Sequence, residues 1–252
     1  MGVLDKKVAV VTGGAYSIGR AFCEALAAEG ADVAIADIRE GAETAAALRE
    51  KFGRRALDYK VDVGDEASVV RFAREVREAL GPVEILVNNA AVFAELPALA
   101  FHEYPADLWD RVMAVNVKGP FLMAKHLAPM MIEARRGKII NIGSGTAYKG
   151  MPRMLAYVTS KAAILGLTRS LARELGPHGI NVNTLAPGLI ESPSVLDHPH
   201  NLAPSEAVIR SRAIPRPGVP QDLLGALVFL ASPASDFVTA QTLAVDGGSV
   251  TL

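Results

Sequence analysis

Short runs of apolar and β-branched residues alternate along the whole chain with longer segments whose apolar residues recur at helical spacing. The strand candidates are KVAVVT (7–12), DVAIAD (32–37), RALDYKVD (55–62), VEILVNNA (83–90), GKIINIGS (137–144), INVNTLAP (180–187) and QTLAVDGG (241–248). Segments such as 21–30 and 69–81 lie between them and end in glycine, the usual C-terminal stop of a helix. This alternation predicts an α/β fold: a doubly wound parallel sheet of about seven strands with helices on both faces.

The length and the charge balance of the chain limit the number of domains and the kind of binding partner that we expect. The chain has 252 residues, 50% of them hydrophobic, which is enough for one large core, so we expect a single domain over 1–252. Its formal net charge is -1 and it has no basic block. A nucleic-acid or anionic-membrane surface therefore has no electrostatic support, and small molecules are the expected partners.

Cysteine and histidine usage narrows the chemistry further. Cys23 is the only cysteine, which excludes an internal disulfide and a multi-cysteine metal site and fits a reducing compartment. We interpret it as a small buried apolar residue. The five histidines show no metal-ligand spacing, so no metal site is expected. The first apolar run is too short for a signal peptide or a membrane span, and we expect a cytoplasmic protein.

The stretch VTGGAYSIGRA (11–21) follows the first strand candidate and opens a helix. Gly13 and Gly14 permit a tight turn, and Gly19 lets the helix approach closely. Free backbone N–H groups and the helix dipole make this a candidate anion site, although an ordinary strand–helix turn explains the loop alone equally well. Ser17 stands where such loops usually carry a third glycine; it suits the site if its φ is negative, where it could cap the helix or donate to a phosphate.

The segment YVTSK places Tyr157 and Lys161 four residues apart, on one face of a predicted helix, and Ser144 ends the strand candidate upstream. Three short motifs accompany them: NNAA at 88–91, VNVKG around Asn116, and APG ending in Pro187 and Gly188. On these residues the chain resembles the NAD(P)-dependent short-chain dehydrogenase/reductase family in its single-domain, Rossmann-like form, from about Lys6 to the end.

The resemblance implies a role for each matched residue. Tyr157 corresponds to the general acid/base, Lys161 to its electrostatic partner, Ser144 to the group that holds the substrate oxygen, and Asn116 to the residue that positions a proton-relay water. Because a nearby ammonium favours the phenolate, we expect Lys161 to lower the pKa of Tyr157. The resemblance assigns cofactor contacts to Gly13, Ser17, Ile18, Gly19, Asp37, Asp62, Val63, Asn89, Tyr157, Lys161, Pro187, Gly188, Ile190 and Ser192.

Three positions depart from the family pattern. Ser17 replaces the third glycine of the loop, and Ala91 replaces the glycine of the usual NNAG. Ser192 stands where the family often has a threonine that touches the nicotinamide amide.

Asp37 predicts which dinucleotide binds. It ends the second strand candidate, about the distance past the glycine loop at which an acidic residue meets the adenosine ribose. A carboxylate there accepts hydrogen bonds from the ribose hydroxyls and repels a 2′-phosphate, which favours NAD over NADP. Arg39 argues the other way, but the AYS stretch before Ile18 contains no basic residue that would support it.

The proline-rich stretch 191–220 is irregular and follows the sixth strand candidate, so we predict a substrate lid over 189–216. His198 and His200 fall within it, where a solvated position is favoured over a substrate contact. Five further residues could belong either to the core or to the wall of the pocket: Phe93, Leu96, Tyr148, Met151 and Met154.

The expected function is hydride transfer between NAD and a secondary or ring-bearing alcohol or its carbonyl counterpart. Residues 189–201 (LIESPSVLDHPHN) and 150–161 (GMPRMLAYVTSK) look locally similar to pyridoxal dehydrogenases and to aryl-alkyl secondary alcohol dehydrogenases. A 3-oxoacyl thioester reductase using NADPH and a non-catalytic dinucleotide-sensing module are the alternatives. The resemblance also implies a homo-oligomer, a tetramer.

Overall fold

The computed structural model describes residues 2–198 and 206–250. Seven parallel strands form one sheet in the order β3-β2-β1-β4-β5-β6-β7. Their bounds are β1 (Val8–Thr12), β2 (Asp32–Asp37), β3 (Ala56–Lys60), β4 (Ile85–Asn88), β5 (Gly137–Ile142), β6 (Ile180–Pro187) and β7 (Thr242–Val245). Each strand lies within a run that the sequence predicts as a strand, and the predicted doubly wound α/β fold is confirmed.

Helices connect the strands. The α-helices are α1 (Ser17–Ala28), α2 (Ala42–Phe52), α3 (Glu66–Leu80), α4 (Ala106–Met113), α5 (Gly119–Ala134), α6 (Thr146–Lys149), α7 (Leu155–Leu175), α8 (Pro193–Leu196), α9 (Glu206–Arg210) and α10 (Gln221–Ala231). Single 3₁₀ turns cover Phe101–Glu103, Gly176–His178 and Pro233–Ser235, and a π-helix covers Ala114–Lys118. Gly30 and Gly81 follow the ends of α1 and α3 with φ values of 97° and 101°, as the predicted glycine stops require.

The sheet is covered on both faces, which explains why its central strands are buried and mostly apolar. Val8 and Val10 of β1 belong to the hydrophobic cluster that α3, α5 and α7 build on one face. Ala9 and Val11 belong to the cluster that α1, α2 and α10 build on the other face. A strand buried on both sides loses the polar alternation of a half-exposed strand and becomes a continuous apolar run.

The strand order reverses between β1 and β4, and this point positions the site. In such sheets a crevice opens beyond the carboxyl ends of the two strands. The Oγ1 atom of Thr12 accepts hydrogen bonds from the backbone N–H groups of Asn89 (2.9 Å) and Ala90 (3.0 Å). The side-chain amide of Asn89 donates to the carbonyl oxygen of Thr12 at 2.9 Å. These bonds fix the loops after β1 and β4 on either side of the crevice.

The stretch predicted as a lid begins after β6. Ile190 forms an isolated parallel bridge with Gly218, and the short helices α8 and α9 follow. The buried guanidinium of Arg212 donates to the carbonyl oxygens of Leu189 and Arg216, both at 2.6 Å, and so joins the two ends of the stretch. His200 lies outside the described residues, and the lid assignment stays a prediction. Within the described ranges no helix is long and apolar enough to cross a membrane.

Candidate active site

A cavity of about 880 Å³ lies at the carboxyl edge of the sheet, within the size range of small-molecule sites. Its wall includes every residue to which the sequence assigned a cofactor contact, from Gly13 in the loop after β1 to Ser192 ahead of α8. Ser144 lines the same cavity, whereas Asn116 does not. The fold therefore brings these predicted positions together from loops after β1, β2, β3, β4, β5 and β6.

The glycine loop has the backbone geometry of an anion cradle. Gly13 has a φ of 64°, a left-handed conformation that favours glycine. A Cβ atom on Gly19 would lie 1.9 Å from the carbonyl oxygen of Gly13, so only glycine allows α1 to begin this close to the loop. The residues present therefore fit a dinucleotide whose phosphates meet the loop amides and the N-terminus of α1.

Ser17 does not have the backbone conformation that would make serine a good replacement for glycine. Its φ is 55°, in the left-handed region, whereas serine suits the position only at a negative φ. Tyr16 occupies the N-cap position of α1 without a side-chain capping bond, so Ser17 does not cap the helix. Its hydroxyl instead lies 2.9 Å from the hydroxyl of Ser194 and accepts a hydrogen bond from the Ser194 backbone N–H at 3.3 Å. The chain keeps a serine in a conformation that suits glycine, and its hydroxyl contacts α8.

Asp37 is buried at the end of β2, and two backbone groups orient its carboxylate. Its Oδ2 atom accepts a hydrogen bond from the N–H of Ala15 at 3.0 Å, and its Oδ1 atom accepts one from the N–H of Arg39 at 2.9 Å. The guanidinium of Arg39 lies over the ring of Tyr16, 5.3 Å from the centroid. The carboxylate thus faces the cavity beside the glycine loop, while Arg39 packs on an aromatic ring.

Tyr157 and Lys161 lie one turn apart on α7, and both are buried. The Nζ atom of Lys161 is 5.7 Å from the centroid of the Tyr157 ring and donates to the carbonyl oxygen of Ile142 at 2.7 Å. The ring of Phe93 packs against the same tyrosine with centroids 4.5 Å apart. Both titratable groups therefore lie in an apolar, water-poor wall of the cavity.

Burial sets the pKa of both groups. It raises the pKa of Tyr157, and a hydrogen bond with the Ser144 hydroxyl offsets part of that rise, so that the pKa lies at about 12. It lowers the pKa of Lys161 to about 8. A low-dielectric surrounding disfavours the charged form of each group, so the pKa of the tyrosine rises and the pKa of the lysine falls. The expected lowering of the Tyr157 pKa by Lys161 is wrong for this structure, because desolvation of the phenolate is the larger effect.

The hydroxyl of Ser144 is held by its neighbour. Its Oγ atom accepts hydrogen bonds from the backbone N–H of Thr146 at 3.2 Å and from the Thr146 hydroxyl at 2.9 Å. With two donors already aimed at this oxygen, its own proton is free to point elsewhere. Thr146 was not among the predicted site residues; its signal is the Ser-x-Thr spacing, typical of a local side-chain turn.

Asn116 lies behind the cavity wall, in the π-helix between α4 and α5. Its Oδ1 atom accepts from the N–H of Val92 at 2.8 Å. Its Nδ2 atom donates to the Val92 carbonyl oxygen at 3.2 Å and to the Ser160 hydroxyl at 3.1 Å. The side chain thus joins the loop after β4 to α7. π-Helical turns inside helices are frequent at functional sites, and the relay-water role of Asn116 stays a prediction.

The other candidates divide between the wall and its surroundings. Phe93, Met151 and Met154 line the cavity. Leu96 is buried in a cluster behind them, and Tyr148 is 38% exposed. The Nδ1 atom of His198 lies 3.0 Å from the carbonyl oxygen of Ser194, and this residue is not on the wall. Cys23 is buried, and burial raises the pKa of its thiol, as expected for a core position. In the described part of the chain no group of three or more His, Cys, Asp or Glu could hold a metal ion.

A doubly wound sheet whose crevice holds a glycine cradle and a buried tyrosine–lysine pair defines a nicotinamide-dependent oxidoreductase. The model of the family described as "Enoyl-(Acyl carrier protein) reductase" matches residues 13–250. Among curated proteins, galactitol 2-dehydrogenase of Agrobacterium fabrum is 42% identical over 98% of both chains. Sorbitol dehydrogenase of Cereibacter sphaeroides is 40% identical, also over 98% of both. The chain belongs to the short-chain dehydrogenase/reductase family and is an alcohol or carbonyl oxidoreductase.

Solved structures agree with this assignment. Levodione reductase superposes with a TM-score of 0.91 at 29% identity, covering 97% of each chain. NAD⁺-bound xylitol dehydrogenase superposes with a TM-score of 0.89 at 32% identity, covering 97% of this chain and 99% of that one.

Replacing Gly19 with alanine tests the cradle. Because the new Cβ atom would meet the Gly13 carbonyl at 1.9 Å, α1 has to move away from the loop. We expect NADH affinity, measured by fluorescence titration, to fall about tenfold or more. Gly225→Ala is the matched control, since a Cβ there meets nothing within 4 Å. Equal affinities in the two variants would show that the close approach is unimportant for binding.

The pKa of Tyr157 predicts how rate depends on pH. Alcohol oxidation needs the phenolate, and a pKa raised toward 12 leaves the phenol dominant at neutral pH. Oxidation should therefore accelerate as pH rises from 6 to 8, by up to about tenfold per unit, while carbonyl reduction, which needs the phenol, does not accelerate. Lys161, whose pKa is about 8, is almost fully charged at pH 6 and about half charged at pH 8, so the acceleration should weaken as pH approaches 8. An oxidation rate that is flat or falls from pH 6 to 8 would contradict this assignment of the base.

Proposed function

We propose that this protein is an NAD-linked dehydrogenase of secondary alcohols, with polyols as the first substrate class to test and ring-bearing alcohols as the second. The observation that carries the proposal is the meeting of Ser144, Tyr157 and Lys161 at one wall of the cavity that the glycine loop also lines. The names of the two curated relatives, galactitol 2-dehydrogenase and sorbitol dehydrogenase, support polyols.

The oxidation breaks two bonds of the substrate. The alcohol carbon loses a hydride and the alcohol oxygen loses a proton, and bound NAD supplies the hydride acceptor. Tyr157 takes the proton from the oxygen as general base. Ser144 holds that oxygen through its hydroxyl proton, since its lone pairs already accept from Thr146. Reduction runs through the same groups in the opposite direction.

Lys161 places an ammonium beside the Tyr157 ring. Burial lowers its pKa to about 8, so the ammonium is still mostly charged at neutral pH. In the protein alone, desolvation of the phenolate outweighs this charge. The role proposed for the ammonium is to offset part of that desolvation cost when the phenolate forms. The apolar side chains of Phe93 and Met154 keep water from the phenol.

Cofactor binding follows from the residues around the rest of the cavity. The backbone N–H groups at the N-terminus of α1, from Ser17 to Gly19, would meet the pyrophosphate. Asp37 would accept hydrogen bonds from the adenosine ribose, and Ser192 would meet the nicotinamide amide. Arg39, the one side chain that argues for NADP, packs on Tyr16.

A 3-oxoacyl thioester reductase using NADPH is the second candidate, because the description of the matched family model, "Enoyl-(Acyl carrier protein) reductase", also names a reductase of a carrier-bound acyl thioester, although one that acts on a carbon–carbon double bond. A non-catalytic sensing module is disfavoured, since it would leave the costly burial of Lys161 without a purpose. We also propose a cytoplasmic homotetramer. Two exposed apolar side chains at this edge of the sheet support association: Leu243, which lies on the edge strand β7, and the fully exposed Phe237, which precedes it.

A panel of polyols, aryl-alkyl alcohols and pyridoxal, with NADH production as the readout, tests the reaction. Tyr157→Phe removes only the hydroxyl that exchanges the proton, so turnover should fall about 10²- to 10⁴-fold. NADH affinity should stay within about twofold, because the lost group contributes little to binding. A variant that keeps a tenth of the rate would show that Tyr157 is not the acid/base.

The cofactor preference is tested at Asp37. A unit charge about 4 Å from a phosphate interacts by roughly 4 kcal/mol at an effective dielectric near 20, and even a third of that is about tenfold in affinity. Asp37→Ala should therefore narrow the ratio of catalytic efficiencies, NAD over NADP, by about tenfold or more. Asp58→Ala, on the exposed side of β3, is the control. Better use of NADP by the unmodified enzyme would overturn the assignment.

A further inference from the structure

Two side-chain contacts join the glycine loop to α8, although the partners are far apart in sequence. The hydroxyl of Tyr16 donates to the Oδ2 atom of Asp197 at 2.9 Å, across 181 residues. The hydroxyls of Ser17 and Ser194 are 2.9 Å apart, across 177 residues. The backbone N–H of Ser194 also donates to Ser17 at 3.3 Å. The loop therefore contacts both the start and the end of α8.

The conformation of Ser17 shows that its side chain matters. A φ of 55° is one that serine rarely adopts and that glycine adopts freely. Glycine would remove this strain, but it has no hydroxyl for Ser194. Serine at position 17 thus keeps the hydrogen bond with α8 while its backbone stays in a strained conformation.

The contact continues into the predicted nicotinamide end of the cavity. The hydroxyls of Ser194 and Ser192 lie 3.3 Å apart, which makes a chain of three hydroxyls from the glycine loop to the fully buried Ser192. Val195 of α8 is buried in the same apolar cluster as Tyr157 and Met154. The position of α8 therefore determines both the place of Ser192 and part of the wall around the tyrosine.

We propose that Ser17 and Tyr16 are positioning residues that hold α8 over the cavity, so that the loop that binds the cofactor phosphates also fixes the nicotinamide end of the site. Release of the cofactor then requires the Ser17–Ser194 and Tyr16–Asp197 hydrogen bonds to break. Only the cofactor step rests on the proposed function. The link between loop and helix exists in the protein alone and is testable there.

Hydrogen exchange of the enzyme without cofactor tests the link itself. Ser17→Gly and Ser194→Ala should each speed exchange in a peptide covering 189–198 by about 2- to 10-fold, the range expected for one lost hydrogen bond. The double variant should exchange about as fast as Ser17→Gly, because Ser17→Gly already removes both hydrogen bonds between Ser17 and Ser194. Ser194→Thr keeps the hydroxyl and should restore slow exchange. Lys6→Gly relieves a similar φ of 63° far from α8 and should change nothing.

Stopped-flow measurement of NADH dissociation tests the consequence. Ser17→Gly, Ser194→Ala and Tyr16→Phe should each raise the dissociation rate constant by about 2- to 10-fold. If Ser17→Gly weakens binding while Ser194→Ala does not, Ser17 is a phosphate donor and the proposal fails. Unchanged exchange in both serine variants overturns it as well. A protein that oxidises no alcohol but shows the expected exchange pattern would refute the proposed function and leave this inference standing.

Discussion

Covering a parallel sheet on both faces is the constraint on which the rest of this molecule depends. Once α1, α2 and α10 bury one face and α3, α5 and α7 bury the other, polar chemistry is confined mainly to the two edges where strands end. The carboxyl edge alone opens into a crevice, because the strand order reverses between β1 and β4. The bonds between Thr12 and Asn89 then fix the mouth of that crevice.

The same burial that builds the core gives the tyrosine and the lysine their chemistry. Desolvation moves the pKa of Tyr157 up and that of Lys161 down, so neither charge forms easily alone. A group that becomes charged only during the reaction gains most from a neighbour placed in advance in a low-dielectric wall. The apolar neighbours of Tyr157, Phe93 among them, are therefore part of the proposed catalytic arrangement.

The sequence predicted what local patterns encode. Most strands were recognisable as apolar runs because both faces of the sheet are covered, and Tyr157 and Lys161 because helical spacing places them on one face. Every predicted cofactor position lines the cavity, since these positions lie at strand ends, in the loops after the strands or on the helices that follow. The φ of Ser17 was left open by the local sequence, because its hydroxyl partner is 177 residues away. The direction of the Tyr157 pKa shift was missed, because it depends on three-dimensional packing.

The residues proposed for proton transfer are placed mainly by local sequence, whereas the shape of the substrate cavity depends on contacts between residues that are distant in sequence. In the proposed reaction, proton transfer is carried by α7 and the loop after β5, whose local sequence nearly determines their geometry. The shape of the cavity depends on α8 and the segment around Arg212, which contact the rest of the molecule only through partners distant in sequence. Changes in that segment can alter which alcohol fits without disturbing the residues that exchange the proton. Substrate preference therefore has to be measured, whereas the reaction type follows from the fold and the site.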